Sequence, residues 1–103
     1  MKVLSMEAAR VREDRPATAI AHDEANARVV VFHLSPGQRV PPHHNRSTVI
    51  VTVLEGAGTF HGADGEAVLR AGQSAVYAPG EEHAITAGGE PLRFQAVIAP
   101  RPR

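Results

Sequence analysis

Histidines are the residues of this chain best suited to chemistry. Two of them, His43 and His44, follow a Pro-Pro step in the stretch VPPHHN, residues 40–45. A third, His83, comes shortly after the turn residues Pro79-Gly80. Imidazole binds transition metals, transfers protons near neutral pH and hydrogen-bonds to polar ligands. These three positions are therefore the first candidates for a binding or catalytic site.

Other candidates for catalysis are weaker. Ser47 and Thr48 follow the histidines, but hydroxyls at the start of a strand commonly satisfy backbone groups, and no Ser-His-acid set can be defined from the spacing. Glu81 and Glu82 precede His83 on a turn, where a carboxylate could orient the imidazole or simply face solvent. Because the chain has no cysteine, it has no thiolate nucleophile, no disulfide and no Cys-containing zinc site.

The remaining histidines and the nearest acid do not extend this set. His33 alternates with residues that are better core side chains, so we expect it to face outward or into a dimer interface. His61 lies on a hairpin arm, and His22 lies in a weakly patterned N-terminal segment, which indicates a surface position. Glu55 sits beside a glycine turn, where a solvated side chain is expected.

Short β-type runs must position the histidines. From Ala27 onward, apolar and β-branched stretches alternate with turn residues such as Ser35-Pro36-Gly37 and Asp64-Gly65. Gly56 and Gly58 interrupt one run, which indicates a bulge or a close backbone approach. Turn signals recur about every ten residues without a helical period, a pattern typical of a small all-β sandwich or barrel.

Length and composition agree with a single all-β domain. The chain has 103 residues, and 43% of them are apolar, mostly Ala and Val, with three Phe, one Tyr and no Trp. Such a core favours strands over helices. We expect an N-terminal strand or extended arm over residues 1–27 and one barrel over residues 28–100.

Through these residues the chain resembles the cupin family, whose members are small double-stranded β-helix (jelly-roll) barrels. The first cupin motif has the pattern G-x5-H-x-H-x3/4-E-x6-G, and Gly37, His43 and Gly56 stand at its expected places. The second has the pattern G-x5-P-x-G-x2-H-x3-N. Its matching residues are Gly72, Gly80 and His83, with the proline moved to Pro79 and Ala87 in place of Asn. The resemblance covers roughly residues 28–100 and implies a jelly-roll barrel.

The family's usual ligand set of three histidines and one glutamate is only half present. The resemblance places that set on His43, Asn45, Val49 and His83. Valine cannot bind a cation, and the amide of Asn45 is a weaker donor than imidazole for transition metals. His44 could replace a missing ligand only if the Pro-Pro step or a bulge turned it inward, because neighbouring side chains of a strand face opposite sides.

A metal is therefore an open expectation. The sequence fits a metal-free site equally well, in which the imidazoles hydrogen-bond to each other, to water or to a ligand. In a metal site, the candidate ligands are His43, His83, Asn45 and His44. Structural zinc takes four protein ligands and catalytic zinc three, so we expect any divalent transition metal here (iron, manganese, nickel or zinc) to be weakly held. The missing carboxylate also argues against a facial-triad oxygenase.

Charge and hydropathy exclude several partners. Eleven basic and eleven acidic residues give zero formal charge, and no basic cluster carries interleaved aromatics, so neither nucleic acid nor a membrane surface is an expected partner. The N-terminal apolar stretch is too short for a secretory signal, and no run reaches membrane-spanning length. We therefore expect a cytoplasmic protein.

Three functional hypotheses remain. The first is a binding module for a small organic ligand, held by His43 and His83 in a pocket whose expected lining is Val49, Val51, Val53, Phe60 and Tyr77. The second is a metal-dependent cupin enzyme, a dioxygenase, isomerase or lyase, with His43 and His83 as metal ligands. The third is a homodimer-forming unit, because the run TVIVTVL is apolar on both faces and needs cover outside the barrel.

Overall fold

The computed structural model describes residues 1–7 and 10–102. In this part of the chain, turns connect nine β-strands. Within these ranges every regular element is a strand. The strands are β1 (Ala17–Asp23), β2 (Arg28–Leu34), β3 (Arg39–His43), β4 (Thr48–Glu55), β5 (Ala57–Gly62), β6 (Gly65–Arg70), β7 (Ser74–Tyr77), β8 (His83–Ala87) and β9 (Leu92–Ala99). The predicted all-β class is confirmed. No helix of the described residues is long and apolar enough to cross a membrane.

The strands form two antiparallel sheets packed face to face. The five-stranded sheet has the order β1-β2-β9-β4-β7, and the four-stranded sheet has the order β3-β8-β5-β6. Because strands that follow each other in the chain, such as β2 and β3, lie in different sheets, the chain crosses repeatedly between the layers, as in a jelly roll. The predicted jelly-roll barrel is therefore confirmed.

Period-two alternation places the core between the sheets. In β4 the side chains of Val49, Val51 and Val53 are 1–4% exposed, while Ile50 on the other face is 38% exposed. Phe94 on β9 is fully buried, stacks on Phe32 at 4.7 Å and meets Phe60 edge to face at 5.6 Å. Aromatic contacts of this kind join both sheets into one core.

Two glycines were predicted to mark a bulge or a close backbone approach, and at both of them neighbouring atoms lie close to the backbone. A Cβ at Gly56 would lie 2.0 Å from the Pro91 carbonyl oxygen, and the φ of Gly56 is +77°. A Cβ at Gly58 would lie 2.4 Å from a methyl carbon of Leu92. The register shift between Val53 and Glu55 is the bulge that accommodates this turn.

The N-terminal segment contains one strand and a stretch outside any strand. Its strand is β1, which pairs with β2 and so belongs to the barrel's larger sheet. The described residues before β1 form no strand. Residues 8 and 9 are not among the described residues. Met6 and Arg12 are attached through their carbonyl oxygens, which accept hydrogen bonds from Arg93 and from Ser35 and Gln38, respectively. The arm is thereby fixed to the barrel.

Candidate functional site

The two motif histidines meet at one end of the sandwich. His43 is the last residue of β3 and His83 the first of β8, and the two are direct register partners in the four-stranded sheet. The register shifts between Val40 and His43, because the intervening Pro41-Pro42 step cannot donate ladder hydrogen bonds. This irregularity brings residues from two distant turns into contact.

The two imidazoles are in direct contact. Their ring centroids lie 4.1 Å apart, and the ring planes are inclined by 63°. His83 is 4% exposed, whereas His43 is exposed to solvent. His43 therefore forms the outer, solvent-facing half of the pair and His83 the inner half.

A backbone carbonyl orients each ring. Nδ1 of His43 lies 3.0 Å from the Pro41 carbonyl oxygen, and Nδ1 of His83 lies 3.0 Å from that of Glu81. Since a carbonyl oxygen can only accept, Nδ1 must carry the proton in both rings. In the neutral rings both Nε2 atoms then present lone pairs, the form in which imidazole accepts hydrogen bonds or binds a metal.

Tyr77 holds His83 from the other side. The two rings stack at a centroid distance of 4.5 Å with an angle of 18°, and Tyr77 is itself 4% exposed. This burial lowers the pKa of His83 below the usual 6.5, and the neighbouring His43 and His44 act in the same direction. His83 is consequently neutral at physiological pH.

The other positions of the family's ligand set do not complete a metal site. Val49 is buried in the core, and the Asn45 side-chain oxygen accepts a hydrogen bond from the Ser47 N–H at 2.9 Å. His44 lies at the surface and lines a cavity away from the core. Within residues 1–7 and 10–102, no group of three or more His, Cys, Asp or Glu side chains is close enough to hold one ion. The residues therefore do not fit the family's four-ligand metal site.

The residues expected to line an apolar pocket belong to the packed core. Val49, Val51, Val53, Phe60 and Tyr77 are members of one buried cluster, each 1–4% exposed. Phe60 and Tyr77 also border a cavity of about 250 Å³ at the β6–β7 edge. The imidazole pair therefore lies above a filled core, and a ligand would approach it from outside.

One cavity is lined by His83 of the imidazole pair and a second by the neighbouring His44, and both are lined by arginine. One, of about 440 Å³, is lined by His83, by Pro42 next to His43, and by Arg39 and His61. The other, of about 650 Å³, is lined by His44 to Ser47 and by the C-terminal residues 100–102, including Arg46 and Arg101. The sequence does not predict arginines near the histidines, because only the fold brings these residues together.

The remaining polar candidates have structural contacts. Glu81 accepts hydrogen bonds from the N–H groups of Ala63 and Ala78, both at 2.9 Å, and these bonds lower the pKa of its carboxyl. Ser47 donates its hydroxyl to the Pro100 carbonyl. Glu82 lines the 440 Å³ cavity, and Thr48 pairs with Ala99 at the start of β4.

The other three histidines and Glu55 lie away from the pair. His22 contacts Glu24 at 3.3 Å, and His61 contacts Glu66 at 3.0 Å. His33 faces outward from the core and pairs with Arg93 across the strands, with a buried Nδ1 that has no partner among the described residues. Exposed Glu55 forms an ion pair with Arg93 at 2.8 Å.

Comparison with known proteins identifies one family. A family model described as "Cupin domain" matches residues 30–98. Comparison with curated proteins found no match.

Solved structures cover nearly the whole chain. An uncharacterized conserved protein with a double-stranded β-helix domain from Klebsiella pneumoniae shares 31% identity over 97% of this chain and 90% of that chain, with a TM-score of 0.86. An RmlC-like cupin protein from Desulfovibrio desulfuricans shares 28% over 97% of both chains, with a TM-score of 0.85. A predicted oxalate decarboxylase from Thermotoga maritima shares 29% over 84% and 81%, with a TM-score of 0.78. With the motif spacing, the jelly-roll topology and the family match in agreement, the chain belongs to the cupin family.

Proposed function

We propose that the protein is a small-molecule-binding cupin that holds the polar group of a small organic acid on His43 and His83. The observation that carries this proposal is the contact between two imidazoles whose Nδ1 atoms are both engaged by backbone carbonyls. Both Nε2 atoms are thereby left for a ligand. Fixed polar groups of this kind orient small ligands in protein sites.

Several features favour an acid. The cavity at His83 contains Arg39, which can pair with a carboxylate, and the cavity at His44 contains Arg46 and also Arg101, which already contacts Asp23 at 3.5 Å. Glu82 is the one acidic residue that lines either of them within the described ranges. The structurally similar Thermotoga maritima protein is described as a predicted oxalate decarboxylase, and oxalate is itself a small organic acid.

Proton uptake should accompany binding of a carboxylate. A neutral ring presents a lone pair at Nε2, which repels a carboxylate, whereas a protonated ring donates an N–H from the same atom. Because burial lowers the pKa of His83, this proton is absent from the free protein at neutral pH. The affinity for an organic anion should therefore rise as the pH falls from 7.5 to 6.

Titration with sodium benzoate tests the proposal. Calorimetry at pH 6 and 7.5 should give saturable binding, tighter at pH 6, and His43→Ala should weaken it about tenfold. His22→Ala is the matched control, because it removes another partly exposed imidazole far from the pair. Equal affinities for the parent, His43→Ala and His22→Ala, or tighter binding at the higher pH, would contradict the proposal.

The alternative enzyme hypothesis has no specific support in this site. Two imidazoles without a carboxylate ligand supply half of the family's metal set, so an iron, manganese, nickel or zinc ion would be weakly held. Elemental analysis of tag-free protein, before and after incubation with these ions, should give well below one metal ion per chain. A full equivalent that disappears in His43→Ala would restore the metalloenzyme hypothesis.

We also propose that a second copy of the chain covers the outer face of the five-stranded sheet. An apolar row crosses four of its strands through the paired residues Val76, Ile50, Val97 and Val29, and Val76 is 66% exposed. With zero formal charge, two copies have no net repulsion to overcome. Light scattering should give a dimer mass for the parent and a monomer mass for Ile50→Lys/Val76→Lys. A monomeric parent would contradict the dimer.

A further inference from the structure

An acidic cavity lies next to the cavity that His83 lines, and Gly62 borders both. It has a volume of about 250 Å³ and opens between β6 and β7, which are the edge strands of the two sheets. Asp64, Glu66 and Glu81 contribute carboxylates to its lining, and no Lys or Arg of the described residues lines it. The lining thus has the opposite charge from that of the two arginine-bearing cavities.

A buried polar group without a partner faces these acids. The Tyr77 hydroxyl is buried, and no described residue hydrogen-bonds to it. Burial, with the charges of Glu81 and Asp64 close by, raises the pKa of Tyr77 to about 12, so the hydroxyl stays protonated. A buried hydroxyl without a partner is uncommon in a folded protein and marks a place where a ligand or water completes the bonding.

Gly62 lies where two of these acids and the Tyr77 ring converge. A Cβ built there would lie 2.9 Å from Oε2 of Glu81, 3.2 Å from Cε1 of Tyr77 and 3.5 Å from Oδ1 of Asp64. Two carboxylate oxygens and the edge of the tyrosine ring therefore crowd around Gly62, so a side chain at this position would disturb the acids that line the cavity.

The lining of the cavity suits an ammonium group better than a metal ion. No three carboxylate or imidazole side chains of the described residues are placed to ligate one ion. Each oxygen of Glu81 already accepts one backbone N–H, which fixes the carboxylate but leaves further lone pairs. A primary ammonium has three N–H donors, and the carboxylates of Asp64 and Glu81 and the Tyr77 oxygen are three acceptors.

The rest of the cavity is apolar. Phe60, Leu69 and Ala75 are among its lining residues, so a short hydrocarbon chain attached to the ammonium would find apolar surface. We propose that the cavity at the β6–β7 edge binds a primary ammonium group carried on a short apolar chain. This site uses none of the histidines of the organic-acid site, although Tyr77 stacks on His83 and so lies between the two.

Titration of ¹⁵N-labelled parent protein with n-butylammonium chloride tests the proposal. The backbone amides of Gly62, Ala63 and Gly65 should shift and saturate. The same concentration of 1-butanol, which lacks the charge, or of tetramethylammonium, which lacks N–H donors, should leave them unshifted. Linear shifts without saturation, or equal shifts with 1-butanol, would overturn the proposal.

Matched variants separate specific binding from general charge. Asp64→Asn should weaken butylammonium binding about tenfold, whereas Glu90→Gln removes an equal charge from an exposed position and should leave it unchanged. Tyr77→Phe deletes only the hydroxyl without a partner, so it should keep the fold and weaken binding. Equal affinities in the parent, Asp64→Asn and Tyr77→Phe would show that the ammonium binds elsewhere and would overturn the assignment.

Discussion

The two histidine-bearing segments of this cupin are held very differently. His83 is buried beneath Tyr77, and its turn is tied to the β5–β6 hairpin by the Glu81 carboxylate. His43 is exposed and follows a Pro-Pro step where the strand pairing is irregular. The second segment is therefore fixed by packing, whereas His43 itself can be replaced at little cost to the fold.

The departures from the family's ligand set fall on the His43 side. The departures Asn45 and Val49 both lie on the first segment and on the strand after it. Val49 now contributes to the packed core, and the Asn45 oxygen stabilises its own turn. Each of these residues has a structural role at the position of a family metal ligand, which agrees with the proposal of an organic ligand.

The largest expected difference between the two segments is in stability. His83→Ala should lower the free energy of unfolding by about 2–3 kcal/mol, because it removes a buried ring that packs on Tyr77. His43→Ala should change it by no more than about 0.5 kcal/mol, as for other exposed positions. Urea unfolding of both variants measures this, and equal losses would remove the distinction between the segments.

A smaller effect should appear in the pH dependence of stability. The folded-state pKa of His83 is lowered by burial, so the unfolded chain binds its proton more readily than the native chain. Stability is complete above the unfolded value of about 6.5 and declines as the pH falls from there through the lower folded pKa. Melting temperatures between pH 7.5 and 5.5 should fall more steeply for the parent than for His83→Gln. Parallel curves would contradict the burial argument.

The smallest effect is expected on the first segment itself. Asn45→Ala removes the hydrogen bond from the Ser47 N–H to the side-chain oxygen, so unfolding should become easier by about 0.5–1 kcal/mol. Asn45→Asp keeps an acceptor at the same place and should retain most of the stability. An Asn45→Asp variant as unstable as Asn45→Ala would show that the side-chain oxygen does not stabilise the turn.

Much of the fold follows from the sequence because its signals are local. The glycine positions, the alternation in β4 and the hairpin signal at Asp64-Gly65 each depend on a few neighbouring residues. Even there a detail differs. The two-residue loop is Ala63-Asp64, and no described non-glycine residue has a positive φ, so Gly65 follows the turn instead of forming its centre.

The site is harder to predict because its contacts are not local. Spacing identified His43 and His83 as candidates, but the carbonyls that fix their tautomers depend on turn geometry. Whether the valines of β4 line an open pocket or pack in a core depends on how closely the two sheets approach. The arginines beside the pair are adjacent only after the chain has folded.

The most direct test of the proposed function is a long-range ¹H–¹⁵N spectrum of the histidine rings, recorded with and without sodium benzoate. In the free protein at pH 7.5, His83 should show a protonated Nδ1 and an unprotonated Nε2, and the neutral form of His43 should show the same tautomer. Saturating benzoate at pH 6 should shift the Nε2 signals of both rings and leave His22 unchanged. Rings protonated at Nε2 in the free protein, or a saturating benzoate signal that leaves both Nε2 atoms unshifted, would contradict the assignment of this pair as the ligand site.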